Sequence, residues 1–420
     1  MSRTSVFVYA DIEGVPHVAG QLWTRAERGR ENATFKYAEE WLANPVCFSL
    51  APALALDPGP FHASPEQPLL GAIGDSAPDR WGRTLMRRAE RRDAEKEGRA
   101  PRTLLETDYL LLVNDETRQG ALRFSERVGG PFLQPNDNSI RIPPLVDLPK
   151  LLAATDRVLA GDGADEDLRL LLAPGSSLGG ARPKASVRDR DGHLAIAKFP
   201  NKGDEYNVVL WEALALTLAA KAGLLTPVWR VEMVAKRATL LLRRFDRVQG
   251  IRISFLSAMS MLGARDRETH SYLEMVDALR QQGAKPKEDM VELWARIVFS
   301  ILISNTDDHL RNHGFLYSGR NGWTLSPLYD VNPVPVDIKQ RVLTTAIDEE
   351  DGTASLELAM KVSSYFDLRP KEAREIIKNV GTAVSTWRSE AAKLGVKKAE
   401  IERMESAFEH EDMRAAQRTS

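Results

Sequence analysis

The sequence predicts an α+β protein of two lobes, in which a small sheet carrying one helix precedes a mainly helical C-terminal lobe, with an extra β-rich N-terminal subdomain ahead of both. Three observations predict it. The opening "SVFVYADIEGVPHVAGQLW" forms two strand-like runs around a turn containing Gly14 and Pro16. After residue 167 a glycine-rich turn leads into the strand patterns "KASVRD", "HLAIAKF", "PVWRVEMVA" and "ATLLLRRF", with the apolar helix pattern "VVLWEALALTLAA" among them. From residue 257 onward helical patterns dominate, including the very apolar "LWARIVFSILI". At 420 residues, and with a prior of about 150 residues per domain, the chain has room for two to three structural units.

Taken in order, the first unit is expected over residues 1–130. Its opening hairpin is followed by "APALALDPGPFHASPEQPLL", where proline fixes backbone angles and favours irregular extended chain over helix. "DRWGRTLMRRAERRDAEKEGRAPR" alternates charges at helical spacing and reads as a helix with a solvated face, because acids are interspersed among the arginines. A boundary is expected between "GGPFLQPNDNSIRIPPL" and the acidic "GDGADED". Residues 131–246 then form the small sheet and residues 247–420 the helical lobe.

Composition excludes several classes. With 57 basic and 59 acidic residues the formal net charge is -2, so nothing pulls the whole chain toward nucleic acid. The single cysteine, Cys47, excludes an internal disulfide framework, fits a reducing compartment and cannot build a zinc site alone. No window reaches the roughly 18 apolar residues of a membrane span and the N-terminus has no apolar signal core, so the expectation is a soluble, cytoplasmic protein without membrane contact.

The chemistry concentrates in a few stretches. Gly175 and Gly180 have the GxxxxG spacing of a P-loop, but Ala181 stands where the lysine belongs, and "GSSLGGARPK" does not match GxGxxG either. Lys184, on the strand that follows, and Lys198, at the end of the next, place two cations beside this turn, which suits a polyphosphate. Lys198 lies in the apolar "AIAKFP", where a charge needs a partner, and fourteen residues later Glu212 interrupts an apolar helix. Protein kinases pair a strand lysine with a glutamate of the following helix over the α- and β-phosphates; the alternative is a snorkelling lysine and a glutamate on an exposed helix face.

"SNTDDHLRNHGF" supplies the rest. Asp307 and Asn312 have the D-x-x-x-x-N spacing of a kinase catalytic loop, in which the aspartate orients or deprotonates the attacking hydroxyl and the asparagine holds magnesium. "HGFLYSGRNGWTLSPLYD" then forms a hairpin around residues 319–322 and ends on Asp330, where a second magnesium ligand belongs. Asp308 stands one residue too close to Asn312 for the catalytic role. His309 and His313 raise zinc as a candidate, yet Asp and Asn oxygens favour magnesium and no thiolate is nearby, so His309 is expected to brace the loop by hydrogen bonds. These features refine the expected architecture to a two-lobed, protein-kinase-like fold.

These stretches resemble the HipA family of serine/threonine kinases, the toxins of HipA/HipB-type toxin–antitoxin modules, along nearly the whole chain. "FVYADIEGVPHVAGQLW", "FKYAEEWL", "PDRWGR" and "GALRF" are similar to the family's N-terminal subdomain. "SSLGGARPKASV", "AIAKFP", "LLRRFDR", "NTDDHLRNHGF" and "LSPLYDV" are similar to its nucleotide loop, phosphate lysine, hinge, catalytic loop and metal-binding aspartate. The resemblance implies ATP and Mg2+ as cofactors, Asp307 as the catalytic residue, Asn312 and Asp330 as magnesium ligands, and Lys198 on the phosphates. It places Phe245 and Asp246 at the hinge and ribose, with Arg243 where an acidic hinge residue is expected, and Ser177, beside Ser176, at the serine whose autophosphorylation inactivates the enzyme. It further implies a protein substrate such as an aminoacyl-tRNA synthetase, a helix-turn-helix antitoxin of HipB type, and operator DNA bound mainly through that antitoxin. Two other readings stay open: a small-molecule phosphotransferase of the aminoglycoside- or choline-kinase type, and a non-catalytic nucleotide-sensing corepressor.

Overall fold

The computed structural model describes residues 2–27, 30–64, 66–135, 142–175, 180 and 182–418. The chain divides into two compact units, one of Met1–Lys202 with Glu232–Arg265 and one of Gly203–Val231 with Asp266–Ser420.

The first unit opens with β1 (Ser2–Ile12), β2 (Val15–Glu27) and β3 (Arg30–Tyr37). Val6, Val8 and Ala10 of β1 and Ala33, Phe35 and Tyr37 of β3 are buried at every second position, the signature of strands with one face on a core. β1 turns into β2 through Glu13 and Gly14, both at positive φ (54° and 84°), which is the twist a two-residue hairpin needs and the reason glycine stands there. The proline-rich passage contains α1 (Glu39–Leu42) before it and β4 (Pro60–His62) within it, a three-residue strand on the sheet edge with proline as its first residue. After α2 (Gly71–Asp75), α3 (Arg80–Lys96) and α4 (Glu106–Leu112), β5 (Leu122–Ser125) from "GALRF" pairs with β1 and completes the order β4-β3-β2-β1-β5.

The same unit continues through α5 (Leu148–Ala160) and α6 (Asp165–Gly175) into the hairpin β6 (Lys184–Arg188) and β7 (Leu194–Lys198). After α7 (Val208–Lys221), which belongs to the second unit, come β8 (Trp229–Val234) and β9 (Arg237–Arg243). These strands form a sheet of order β6-β7-β9-β8. The short β10 (Arg247–Val248), β11 (Ile251–Arg252), β12 (Phe255–Ser257) and α8 (Ala258–Leu262) follow. Three helices, not one, supply the core of this unit with the sheet: Trp81 and Leu85 of α3 and the leucines of α5 and α6 pack with Ala185, Val187, Ala197 and Leu241. The charged helix α3 therefore hides an apolar stripe, and only its other face is solvated.

In the second unit α7 is buried on nearly every side, as a helix that is apolar all round must be. It packs on α12 (Pro370–Val384) and α13 (Trp387–Lys393), introduced after α9 (Tyr272–Gln282), α10 (Pro286–Leu302) and α11 (Leu356–Val362). Trp387 stacks on Phe408 at 4.5 Å and both flank Trp211 of α7. α14 (Lys398–Arg403) presents Glu400, whose Oε1 accepts the Asn207 backbone N–H and Trp211 Nε1–H, both at 2.7 Å, at the start of α7. α15 (Glu405–Phe408) and α16 (Glu411–Arg418) close the unit, whose hairpin is β13 (Gly314–Tyr317) and β14 (Trp323–Leu325). Among the described residues no helix is long and apolar enough to cross a membrane.

Candidate active site

The loop that follows α10 begins with a Schellman cap. The Asn305 N–H bonds the Ser300 carbonyl (2.9 Å), the Ser304 N–H reaches Ile301 O (3.3 Å), and Ser304 takes the left-handed φ of 51° usually left to glycine. Tertiary bonds hold the serine there: its Oγ donates to Ala407 O (2.8 Å) and accepts from Arg341 Nε (3.1 Å). Arg341 also bonds Ile301 O (3.0 Å) and Asp412 (2.8 Å), while His410 Nε2 lies 3.2 Å from Leu302 O, so the last carbonyls of α10 are satisfied.

The two adjacent aspartates have opposite environments. Asp308 is buried, accepts hydrogen bonds from the Tyr272 hydroxyl and from Ser300 Oγ (3.1 Å), and has His313 Nε2 2.8 Å from its Oδ1. Burial alone would raise this carboxyl, but the His313 imidazole beside it and the hydrogen bonds from Tyr272 and Ser300 outweigh it and hold Asp308 below the ordinary carboxylate range. The Tyr272 hydroxyl is pushed well up by burial and by that same carboxylate. Thr345 fixes the Asp308 carbonyl through its N–H (3.2 Å) and Oγ1 (2.6 Å), and Lys339 Nζ and Thr344 Oγ1 donate to Thr306 O at 2.8 and 2.9 Å. Asp307, between these anchors, is exposed.

Downstream, Asn312 is buried and its Nδ2 donates to the Asp307 carbonyl at 2.9 Å. That bond assigns the amide orientation and turns Oδ1 away from the loop backbone. The Tyr329 hydroxyl donates to Arg311 O (2.8 Å), tying the end of the β13–β14 hairpin back to the loop, and the next residue, Asp330, stands at φ 57°. A left-handed aspartate is tolerated but costs about 1 kcal/mol or more, and such strain concentrates at functional positions. An amide oxygen and a carboxylate are hard donors suited to magnesium, which takes one or two carboxylates and completes its shell with water and phosphate. Among the described residues no three His, Cys, Asp or Glu side chains converge as a metal cage.

His309 braces the loop through its backbone, its N–H donating to Asp307 O (3.0 Å) and its carbonyl accepting from the Asn312 N–H (2.8 Å), and not through its ring. Its half-buried ring has no hydrogen-bond partner on Nδ1 among the described residues, and the side-chain hydrogen bonds that hold Asp308 come from Tyr272 and Ser300. Nothing in the spacing of "DDHLRNH" distinguishes the two histidines, and Tyr272 lies 36 positions upstream of its partner.

The remaining candidates divide between the units. Glu212 is 3% exposed on α7, so it does not sit on a solvated helix face, and Lys198 is 9% exposed at the end of β7. Lys184, opposite Lys198 in the β6–β7 register, departs from the expected phosphate role: it is 3% exposed and its Nζ lies 2.8 Å from Asp79 Oδ2, at the N-cap of α3. Burial makes such a pairing obligatory for a lysine, and it commits the ammonium to a carboxylate. Arg243 Nη2 donates to His193 Nε2 at 2.8 Å, and Phe245 lies tilted against Phe255 at 6.4 Å. Asp246, expected at the ribose, is buried with Arg244 Nε at 2.7 Å, Arg247 Nη1 at 3.0 Å and the Gly120 N–H at 2.8 Å on its carboxylate. Burial would raise it, yet the two guanidinium charges hold it far below the usual range. Ser177 and Ser176 lie outside the described residues.

Comparison with known proteins gives the family and the fold. A Sinorhizobium fredii protein named "Putative kinase Y4mE" is 26% identical over 271 residues, 58% of this chain and 54% of that protein. A Haemophilus influenzae protein named "Putative kinase" is 29% identical over 99 residues, 23% of this chain and 29% of that one. The chain thus spans about half or less of the length of these curated relatives. The solved Shewanella oneidensis toxin–antitoxin complex of HipA, HipB and operator DNA matches with a TM-score of 0.64 over 98% of this chain and 96% of that one, at 16% identity, which establishes the α+β fold. The profile of the HipA-like C-terminal domain matches residues 176–387, half of the sequence, and the chain belongs to that family.

Proposed function

We propose that the protein is an ATP- and magnesium-dependent serine/threonine protein kinase, acting in the cytoplasm as the growth-inhibiting toxin of a toxin–antitoxin pair. The observation that carries the reading is the contrast within Asp307-Asp308: a buried, fully partnered carboxylate fixes the loop, and the exposed one beside it is left to meet a substrate hydroxyl. In the proposed step the acceptor oxygen attacks the γ-phosphorus in line, ADP departs with its bridging oxygen, and the hydroxyl proton passes to an Asp307 carboxylate oxygen. Asn312 Oδ1 and Asp330 would hold magnesium, which when bound neutralises charge on the phosphate oxygens. The kinase-like order of Lys198 and Glu212 in the sequence supports assigning Lys198 to the α- and β-phosphates. Adenine is assigned to the backbone of residues 243–246, since the Asp246 carboxylate is already committed. Lys184 is assigned to holding α3 on the sheet.

The finer parts of the proposal rest on family resemblance: autophosphorylation on Ser177, an essential protein such as an aminoacyl-tRNA synthetase as target, and a HipB-type antitoxin that carries the complex to operator DNA. Those of the Shewanella HipA neighbour, HipB and operator DNA, are the partners that support this choice. The test is phosphoproteomics after brief induction of the wild-type chain and of Asp307→Asn. The proposal expects serine or threonine phosphosites on a protein target in the wild type alone; identical phosphoproteomes refute it.

A further inference from the structure

The segment that follows β9, "RRFDR", is gripped by a turn 126 positions earlier in the chain. Arg244, Asp246 and Arg247 are all buried, and all three reach residues 116–120, inside the same unit. Arg244 donates to the carbonyls of Thr117 (2.5 Å) and Arg118 (3.2 Å). Arg247 donates to Gly120 O (3.0 Å), Glu116 O (3.1 Å) and Arg118 O (2.7 Å). In return the Gly120 N–H donates to Asp246 Oδ2 at 2.8 Å. The turn is itself stiff: Arg118 folds back onto Leu110 O and Val113 O, both at 2.9 Å, and over the Phe124 ring at 4.6 Å. Gly120 sits at φ 74°, and a Cβ there would meet Phe255 N of β12 at 3.2 Å, so the turn is also packed tightly against β12.

This is more machinery than a loop crossing needs. Six hydrogen bonds, all but one from a guanidinium, fix the residues on both sides of Phe245, while Arg243 and the Arg244 N–H, bonded to Leu194 O at 3.0 Å, hold the same stretch to β7. A backbone that reads adenine must present its N–H and C=O groups within a fraction of an ångström, and a free connecting strand does not. We infer that the turn at residues 114–120 is a clamp that sets the adenine-reading backbone, with Arg247 as its principal positioning residue, so that nucleotide affinity depends on the N-terminal part of the chain. The inference rests on the assignment of adenine to residues 243–246. It assigns Arg247 no contact with nucleotide.

The test compares MgATP with magnesium tripolyphosphate, which shares the phosphates and lacks the base, on the full chain and its Arg247→Lys and Arg247→Ala variants. Lysine keeps the charge and loses the fork that reaches three carbonyls. Calorimetric titration is expected to show MgATP bound about tenfold more weakly by both variants, with tripolyphosphate affinity unchanged within about twofold. In steady state KM for ATP rises by the same factor while kcat at saturating ATP is kept. Should alanine at 247 prevent folding, the lysine variant alone carries the comparison. Equal weakening of both ligands, or unchanged ATP affinity in a folded variant, overturns the clamp. A wild-type chain that binds tripolyphosphate and not ATP overturns the adenine assignment beneath it, and one that binds neither overturns the kinase proposal.

Discussion

Replacing Asp308 by asparagine separates the loop's anchor from its chemistry. The substitution keeps shape but puts an amide where a buried carboxylate accepts from Tyr272 and Ser300 and faces His313 at 2.8 Å. Tyr272 and Ser300 both donate to Oδ2, which an amide oxygen can replace, but the NH2 then stands in place of Oδ1 opposite His313 Nε2 and the buried carboxylate–imidazole pair is lost. Breaking a buried pair by removing one partner costs about 3–5 kcal/mol. At about 2–4 °C per kcal/mol for a unit of this size, the melting midpoint of the second unit should fall by roughly 10 °C. Asp307→Asn, on an exposed side chain, should move stability by less than about 0.5 kcal/mol. Urea unfolding followed by tryptophan fluorescence reads both, since Trp211, Trp294 and Trp387 are buried in the second unit. An Asp308→Asn protein as stable as the parent would refute the view that this carboxylate holds the loop.

Other outcomes follow from the same geometry. Burial and then the Arg341 charge push the His410 imidazole down to about 4, so the unfolded chain, protonating near 6.5, binds more protons between those values. Stability is therefore full above about pH 6.5 and should fall by about 3 kcal/mol toward pH 4, a slope that His410→Gln should flatten and an unchanged slope would contradict. Asp330→Asn keeps a residue that tolerates φ 57° and removes the charge, so thermal denaturation should be nearly unchanged while phosphotransfer drops at least about a hundredfold. Lys184→Met leaves Asp79 buried without this partner and should destabilise the first unit by about 3 kcal/mol or more, measured by denaturant titration, whereas the pair replaced together by apolar residues should recover most of it.

How far the sequence could be read depended on whether a feature was local. The spacing of Asp307 and Asn312 behind an apolar helix is a local pattern, and so is the Glu13-Gly14 hairpin turn. Ser304 was not legible as a helix terminator, because nothing local marks a serine for φ 51°; its bonds go to Ala407 and Arg341. Lys184 looked like a phosphate ligand beside a glycine-rich turn, but Asp79, 105 positions earlier, takes its ammonium. "RRFDR" was visible as a motif while its function in the fold was not, since Arg244 and Arg247 address backbone carbonyls, which leave no trace in side-chain identity. The sheet was expected to carry one helix and shares its core with three, because the apolar stripe of α3 is interrupted by arginines that mask its period.

The most direct measurement of the central claim is transfer of labelled γ-phosphate from MgATP by purified wild-type, Asp307→Asn and Asp308→Asn chains to protein acceptors, read by autoradiography and acid-stable phosphoamino-acid analysis. The account predicts phosphoserine or phosphothreonine with the wild type, none with a fully folded Asp307→Asn, and loss of transfer with Asp308→Asn in step with its lost stability. Transfer undiminished in Asp307→Asn would contradict it.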